Sequence, residues 1–178
     1  EAALSSRFAL NVEEVLDWLE PVLGKADPNA ERLRRGAILL SELAWRGHSD
    51  YRAEQALVRI LHGPFVGIGH RGRALVAIAV YERYRGDPNY VMAEEARKLL
   101  DQSETERALA LGKMLDLAQT LSGGAPGLLP RTSLTLKKGS LCLTLAPDLV
   151  DFAGEVVRKR HNKLARHLGV RPDVQISA

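Results

Sequence analysis

Apolar residues recur every three or four positions along the first two thirds of the chain, which is the spacing of the buried face of a helix. Asn11 and Glu14 have the spacing of a capping box and predict that the first helix begins there. Further helices are predicted after Asp27 with Pro28 in the first turn, from Tyr51 to Leu61 behind an Asp50 cap, from Met92 to Leu100, and from a capping box of Ser103 with Glu106 to about Leu121. The pattern predicts a helical bundle.

The segment from residue 74 to residue 84 is different because nearly every side chain in it is apolar. A surface helix keeps a polar face, so this helix is predicted to lie buried at the centre of the bundle. The segment before it, Gly67-Ile-Gly69-His-Arg-Gly72, fits the G-x-G-x-x-G pattern of dinucleotide-binding folds. That pattern requires a parallel strand after its helix, whereas a Gly-Asp-Pro turn and another helix follow here. We interpret it as a tight turn that brings basic side chains to a helix start, where free N–H groups attract anions.

After residue 127 the apolar period changes from about 3.6 to 2, which indicates strands. Leu134 and Leu136 precede a Lys-Lys-Gly-Ser turn, and Leu141, Leu143 and Leu145 follow it, so a β-hairpin is predicted. Pro147 and Asp148 should then open a last helix whose buried face carries Leu149, Phe152, Val156, Leu164 and Leu168. From Val170 onward a frayed tail is expected.

These elements predict a mainly α fold in three parts. Residues 1–10 are interpreted as a linker from something upstream. Residues 11–130 form the helical domain, and residues 131–178 form the hairpin with the terminal helix packed on it. The apolar share of 46% in 178 residues is enough to bury a core without disulfides.

Composition bears on the expected location of the protein and on the kind of ligand that it could bind. Cys142 is the single cysteine, so no disulfide can form within the chain, and a reducing cytoplasmic location without a membrane span is expected. The net charge of +3 is mild, but residues 31–85 hold ten arginines against five acidic residues. Arginine grips phosphate oxygens in pairs. The segment is therefore either a phosphate-binding surface or a solvated surface that happens to be rich in arginine.

Several kinds of catalytic site are missing from the sequence. Helical metal-dependent phosphohydrolases use a His-Asp pair, and none of the five histidines is followed by an aspartate. There is no G-x-x-x-x-G-K-[ST] segment for gripping a nucleotide, and Cys142 lies between two leucines without a neighbouring base, as a packed thiol does. Several basic residues of the final helix are explained by the favourable position of positive charge near a helix C-terminus, and the same basic helix would also suit a polyanion binder.

Four segments between residues 32 and 73 resemble one known family. They are Arg32-Leu-Arg-Arg35, Leu40-Ser-Glu-Leu-Ala-Trp45, His48-Ser-Asp-Tyr-Arg-Ala-Glu-Gln55 and Phe65-Val-Gly-Ile-Gly-His70-Arg-Gly-Arg73. In order and spacing they are similar to the C-terminal half of the exopolyphosphatase and guanosine pentaphosphate phosphatase family. Later segments such as Leu121-Ser-Gly123 and Leu168-Gly169 extend the resemblance over nearly the whole chain.

The resemblance implies an enzyme of two parts. In such proteins an actin-like pair of α/β domains holds the catalytic acid, the phosphate loops and magnesium, and a helical domain similar to the HD phosphohydrolase fold follows. This chain resembles the second part, so no catalytic residue, metal or cofactor is expected in it, and the fragment alone should be inactive. Ser41-Glu42 stands where a working HD domain would carry His-Asp. The implied partners are inorganic polyphosphate, the actin-like domains and a second copy in a homodimer.

The role left for this part is holding the substrate and the partner subunit. Polyphosphate carries about one negative charge per phosphate, and a groove of arginines gains affinity for it by releasing counterions. The residues expected to line part of a channel or dimer cleft are Arg32, Arg35, His48, Arg52, His70, Arg71 and Arg73. The parent enzyme would then release orthophosphate from polyphosphate.

Other functions remain open at this point. One is an autonomous HD-type phosphohydrolase that acts on a nucleotide, and another is a general polyanion or nucleic-acid binder. Nucleic acid is not expected, because the sequence lacks interleaved exposed aromatics and a groove-reading helix pair. A third is a domain that mainly dimerises the parent enzyme, with the hairpin edge as a contact. The choice between polyphosphate and guanosine pentaphosphate is open as well.

Overall fold

The computed structural model describes residues 11–177, and the predicted linker at 1–10 lies outside them. In this range the helices are α1 (Val12–Leu23), α2 (Pro28–Leu40), α3 (Arg52–His62), α4 (His70–Arg83), α5 (Val91–Arg97), α6 (Gln102–Ser122) and α7 (Glu155–His167). The strands are β1 (Thr132–Lys137), β2 (Ser140–Leu145) and β3 (Arg171–Ile176), and short 3₁₀ helices cover Leu129–Arg131 and Pro147–Phe152. The mainly α prediction is confirmed.

Two predicted helix starts are confirmed by their caps. Asn11 accepts hydrogen bonds from the N–H groups of Glu13 and Glu14, and its amide donates back to the Glu14 carboxylate at 3.0 Å. Asp27 caps α2 through the N–H groups of Asn29 and Ala30. Both caps supply an acceptor to N–H groups that have no partner inside the helix.

Two other predicted caps are wrong. The cap position of α3 is occupied by Tyr51, which makes no side-chain hydrogen bond to the helix. The predicted cap residue, Asp50, belongs to the preceding turn, where its carboxylate accepts from the Ser49 hydroxyl. The capping box of α6 is Asp101 with Glu104 rather than the predicted Ser103 with Glu106. Both α6 candidates have the same spacing, and the pair that is used begins two residues earlier, where the chain leaves the preceding turn.

Residues 27–115 form one compact unit, built around α4. Helix α4 packs against α2, α3 and α5, and its segment from Val76 to Tyr81 is buried on every side, as predicted. Helix α6 approaches α4 so closely that a Cβ placed on Gly112 would lie 2.4 Å from the carbonyl oxygen of Ala79. Helix α4 is therefore surrounded by α2, α3, α5 and α6.

Residues 11–26 and 116–177 form a second compact unit around a three-stranded sheet. Strands β1 and β2 are antiparallel and joined at Lys138 and Gly139, both with positive φ, which confirms the hairpin. Helix α1 packs on β1, and the indole N–H of Trp18 donates to the Thr132 hydroxyl at 3.0 Å. The ranges 11–130 and 131–178 are a different division of the chain and stay a prediction.

The frayed tail predicted from Val170 is wrong. Residues Arg171–Ile176 form β3, which pairs in parallel with β2, so that Val174 lies opposite Leu143. A parallel partner requires a crossover, and α7 provides it. The segment itself has a weak strand pattern, and its backbone hydrogen bonds to β2 decide its structure.

The single last helix predicted from Pro147 is wrong as well. The 3₁₀ helix ends at Phe152, and α7 begins after Gly154, so the two segments do not share one helical face. Phe152 and Val156 are 45% and 56% exposed, whereas Val157 and His161 are buried. None of the helices between residues 11 and 177 combines the length and the apolar content of a membrane span.

Candidate functional site

Helices α2, α3 and α4 bring the predicted basic residues to two ends of the first unit. Arg73 at the start of α4 donates through Nη1 to the carbonyl of Leu61 at the end of α3, at 3.2 Å. At the other end of α4, the hydroxyl of Tyr84 accepts from the N–H of Ala44, just beyond the end of α2. Helices α3 and α4 therefore run antiparallel, and α2 runs in the same direction as α4.

This arrangement separates the seven predicted residues. Four of them lie at the start of α4: Arg32, His70, Arg71 and Arg73. The other end of α4 is capped by Tyr84, and Arg52 and His48 lie there. The 14 residues of α4 put about 20 Å between the two ends. Arg35, one turn beyond Arg32, forms an ion pair with Glu31 at 3.0 Å.

The first turn of α4 carries positive side chains, whereas the start of a helix is stabilised by negative ones. Gly69 occupies the cap position and makes no side-chain hydrogen bond, and the first turn contains no acidic residue. It contains His70, Arg71 and Arg73 instead. The positive end of the helix dipole is destabilised by nearby cations and stabilised by anions. The first-turn N–H groups and three basic side chains therefore make a place where an anion would bind.

Arg32 brings another cation to this place from α2. Its Nη2 donates to the amide oxygen of Asn29 at 2.9 Å, and a Cβ placed on Gly67 would lie 3.4 Å from its Nη1. Gly67 has a φ of +76°, a backbone conformation that favours glycine. The loop before α4 can therefore pass close to the guanidinium. Within residues 11–177 no carboxylate is paired with Arg32.

Arg73 is half-buried and lies beside the end of α3. Besides the bond to the Leu61 carbonyl, its Nε is buried and has no hydrogen-bond partner among the described residues. The carbonyl at the end of α3 carries the negative end of a helix dipole, so Arg73 stabilises that end. Its positive charge is nevertheless not matched by a carboxylate of the described chain.

Arg71 differs from its neighbours because it is held by two carboxylates. Its Nη2 lies 3.1 Å from Oδ2 of Asp101 and 2.5 Å from Oε2 of Glu104. The hydrogen bond and charge of Glu104, together with Asp101, raise the pKa of Arg71. The pKa of Glu104 is lowered, first by the hydrogen bond from Arg71, and the pKa of Asp101 is lowered, first by the backbone N–H of Glu104.

His48 and Arg52 at the other end are occupied in the turn before α3. Arg52 donates through Nε to the carbonyl of Gly47 at 2.7 Å. The Nδ1 of His48 lies 3.7 Å from Asp50, and both side chains are about two thirds exposed, at 68% and 71%. These two residues stabilise a turn and do not contribute to the group at the start of α4.

The second unit offers a cleft of a different character. A cavity of ≈ 230 Å³ opens between α1 and the segment from Leu129 to Leu134, with Trp18 in its wall. Its lining is mainly apolar, and its charged residues are Glu14 and Asp17. A carboxylate-lined apolar cleft disfavours a polyanion, so the start of α4 is the better candidate site.

Comparison with known protein families identifies the family of this chain. The family model described as exopolyphosphatase, C-terminal, matches residues 2–174. The chain belongs to the exopolyphosphatase C-terminal family. No curated protein matches it. Membership implies that the parent protein is a hydrolase.

In this exopolyphosphatase C-terminal domain the segment Ser41-Glu42 is buried. Ser41 and Glu42 are 4% and 3% exposed, and the Ser41 hydroxyl donates to the carbonyl of Ile38 at 2.7 Å. The segment follows α2 directly and forms part of the packing. Among residues 11–177, no three His, Cys, Asp or Glu side chains are grouped so that they could hold a metal ion. The expectation that this domain holds no metal or cofactor stays a prediction.

The prediction about the glycine pattern agrees with the structure. Gly67 and Gly69 lie in the loop between α3 and α4, and the described element after α4 is α5, so no strand flanks the pattern. Cys142 is buried in β2, and burial, followed by the nearby Asp173, raises the pKa of its thiol. A raised pKa keeps the thiol protonated and unreactive, as predicted for a packed cysteine.

Two residues of the exopolyphosphatase C-terminal domain were missed from the sequence, Asp101 and Glu104. Their capping-box spacing was present, but the box was assigned to Ser103 and Glu106 two residues later. Their contact with Arg71 spans 30 and 33 positions of the chain. A contact between residues this far apart has no local pattern, so only the packed structure shows it.

Proposed function

We propose that this domain binds inorganic polyphosphate at the start of α4, as part of an exopolyphosphatase that releases orthophosphate from the polymer. Bond cleavage is assigned to actin-like domains outside these residues, where magnesium would be held. The domain alone would be inactive. In the same proposal the helical unit is HD-like, and the parent works as a cytoplasmic homodimer.

The observation that carries this proposal is the reversed charge at the start of α4. A helix start normally gains stability from an acidic residue or a polar cap, and α4 has neither. Local choices that cost stability are typical of functional sites. A bound phosphate would supply the missing negative charge, accept from the first-turn N–H groups and pair with Arg32 and Arg73.

The chemistry of the ligand suits a site whose positive charges come from two helices. A phosphate polymer presents a negative charge at each unit, so it can contact a guanidinium on α2 and a helix start on α4 at once. Such binding gains free energy from counterion release, and it should weaken steeply as salt is added. Pairing by arginine is bidentate, which holds the polymer in register.

The test is the affinity of the 178-residue chain for inorganic polyphosphate of defined length, measured by titration calorimetry at several salt concentrations. Arg32→Ala should weaken binding about tenfold, because a hydrogen-bonded charge contact is lost. The slope of log affinity against log salt should fall by about 1. Stability should not change, since the Arg32 guanidinium is exposed and bonds only a neutral amide.

Arg46→Ala is the matched control, because Arg46 is an exposed arginine that stacks on Trp45 near the other end of the unit. It removes the same charge and should leave affinity within twofold. Equal losses in the two variants would contradict a local site. Stronger binding of a DNA oligonucleotide of equal charge would favour a general polyanion binder, and phosphate release by the chain with added metal ions would contradict the assignment of cleavage elsewhere.

A further inference from the structure

Arg71 is in the proposed site, yet its guanidinium faces two carboxylates of the same unit. The side chain is 61% exposed, and Asp101 is 58% exposed, so solvent and ligands reach the contact. Glu104 is more enclosed, at 19%. Both carboxylates accept from Nη2 of Arg71, so a phosphate oxygen that approaches this nitrogen competes with them, and their negative charge opposes its approach to the rest of the guanidinium.

Asp101 and Glu104 are held in place independently of Arg71. The N–H of Glu104 donates to Oδ1 of Asp101 at 2.9 Å, and the N–H of Asp101 donates to Oε2 of Glu104 at 3.0 Å. This capping box stabilises the start of α6. The two carboxylates therefore stay at the same place when Arg71 leaves, and they can take it back when the ligand leaves.

A second cation near the capping box lowers the free-energy cost of moving Arg71 from the carboxylates to a ligand. Arg107 lies close enough to Asp101 to help lower the pKa of that carboxyl. When Arg71 turns toward a ligand, Asp101 keeps one neighbouring cation and its backbone bonds. Of the two ion pairs of Arg71, the one with Asp101 is exposed and contributes little free energy, and the one with Glu104 is partly enclosed. A ligand of high charge density can therefore displace them, whereas a weakly charged anion gains too little.

We infer that Asp101 and Glu104 are specificity-determining residues that compete with the ligand for Arg71. The pair acts as an internal anion, so Arg71 joins Arg32, His70 and Arg73 only when a densely charged phosphate chain is bound. This inference rests on the proposed function, because it assumes that the start of α4 binds phosphate.

The test is the double variant Asp101→Asn/Glu104→Gln, measured with inorganic tripolyphosphate and with longer polyphosphate. Asparagine is as good an N-cap as aspartate, and glutamine can complete a capping box, so α6 keeps its cap while the charges are removed. Affinity should rise roughly three- to tenfold at low salt, and the rise should shrink as salt is added. The gain should be larger for tripolyphosphate, the weaker competitor.

The matched control is Asp17→Asn/Glu20→Gln, which removes two exposed carboxylates of α1 in the second unit. It changes the net charge equally and should leave affinity within twofold. A second control places the two amide substitutions in an Arg71→Ala background. In this background less than half of the gain in affinity should remain, because Arg71, the arginine that the two carboxylates hold, is absent. Circular dichroism of each variant checks that the helices are intact.

The outcomes separate this inference from the proposed function. If the unchanged chain binds polyphosphate and the amide variant binds no better, the site stands and the competition is overturned. An undiminished gain in the Arg71→Ala background would also overturn it, because general repulsion would then explain the effect. If the amide variant binds and the unchanged chain does not, the competition is supported and binding by the unchanged chain is refuted. Absence of binding in both overturns both proposals.

Discussion

Two regions of this domain are rich in basic residues, and the structure uses them in opposite ways. At the start of α4, the residues Arg32, His70 and Arg73 have no carboxylate partner within residues 11–177. In α7, Arg160 forms an ion pair with Asp116 at 2.8 Å, and Arg158 donates to the carbonyl of Ala153. Both regions contain several basic residues, and the groups that these residues contact differ.

The position of the charges on each helix differs too. Helix α7 begins with Glu155 and ends with Arg166 and His167, which is the order that a helix dipole favours. Helix α4 begins with basic residues, which is the reverse. The proposed polyanion site therefore differs from α7 in two respects: its cations lack carboxylate partners, and they lie where positive charge costs stability.

The largest expected effect tests the structural role of α7. Arg160→Met removes a cation whose side chain is 14% exposed and leaves Asp116, equally enclosed, without it. The Nε–H does not point at the oxygen, so the contact is one of charge. The free energy of unfolding should fall by about 3 kcal/mol, measured by urea denaturation, because an enclosed carboxylate loses a cation that it contacts at 2.8 Å.

Lys159→Met is the control for that change, since Lys159 is the exposed neighbour on the same helix. It should alter stability by less than about 0.5 kcal/mol. Neither variant should change polyphosphate affinity more than twofold. A loss of affinity in Arg160→Met with intact folding would break the comparison, because α7 would then bind the ligand.

The next effect concerns His161, which is fully buried in α7 and bonds through Nε2 to the carbonyl of Leu141 at 3.0 Å. Burial lowers the pKa of His161, Arg158 lowers it further, and the Leu141 carbonyl and Asp173 oppose this. As the pH falls, His161 is protonated in the unfolded chain at a higher pH than in the folded chain. Stability should therefore fall as pH drops below about 6.5, by up to about 1.4 kcal/mol per pH unit.

The measurement is the urea unfolding free energy from pH 8 to pH 5.5, compared with His161→Phe. The variant should be less stable at pH 8, because the Leu141 carbonyl loses its donor, but its stability should depend less on pH. The same slope in both proteins would show that His161 is not the titrating group. Near the start of α4 the basic residues are arginines and an exposed histidine, so no comparable buried group is expected there.

The smallest effect gives α4 the cap that α6 has. Gly69 has an extended backbone with a φ of −71°, and a Cβ placed on it would meet no atom within 4 Å. Gly69→Asp should raise the free energy of unfolding by about 0.5 to 1 kcal/mol, since it adds a cap and a negative charge. Polyphosphate affinity should fall roughly two- to fivefold, because the carboxylate takes the place of the ligand's charge.

Gly69→Asn separates the two contributions, since asparagine caps as well as aspartate but is neutral. Its stability should rise by a few tenths of a kcal/mol, with a smaller loss of affinity. If Gly69→Asp is more stable and binds polyphosphate as well as the unchanged chain, the reversed charge at this helix start is unrelated to ligand binding.

Much of the fold was predictable because it follows from local pattern. The capping residues Asn11 and Asp27, the buried helix α4 and the turn at Gly139 are each encoded within a few neighbouring positions. Two larger errors concern the end of the chain, where the local pattern does not decide the structure. Strand β3 forms because β2 offers it an edge, and α7 begins at Glu155, after its cap at Gly154, rather than at Pro147.

The candidate site was predictable only in part. The glycines predict the turn that brings His70, Arg71 and Arg73 to the start of α4, and Arg32 belongs to the same predicted group. Arg52 and His48 are predicted with them but lie at the other end of α4. Spacing along the chain does not show which end of a helix hairpin a residue reaches.

By itself, the sequence determined the helices, the hairpin, the family and the excess of arginine between residues 31 and 85, because each depends on neighbouring positions or on composition. The tertiary structure decided which arginines have partners. Asp101 and Glu104 reach Arg71, and Asp116 reaches Arg160, only after helices distant in sequence have packed. Electrostatic pairing depends on distance in space, and folding is what sets that distance.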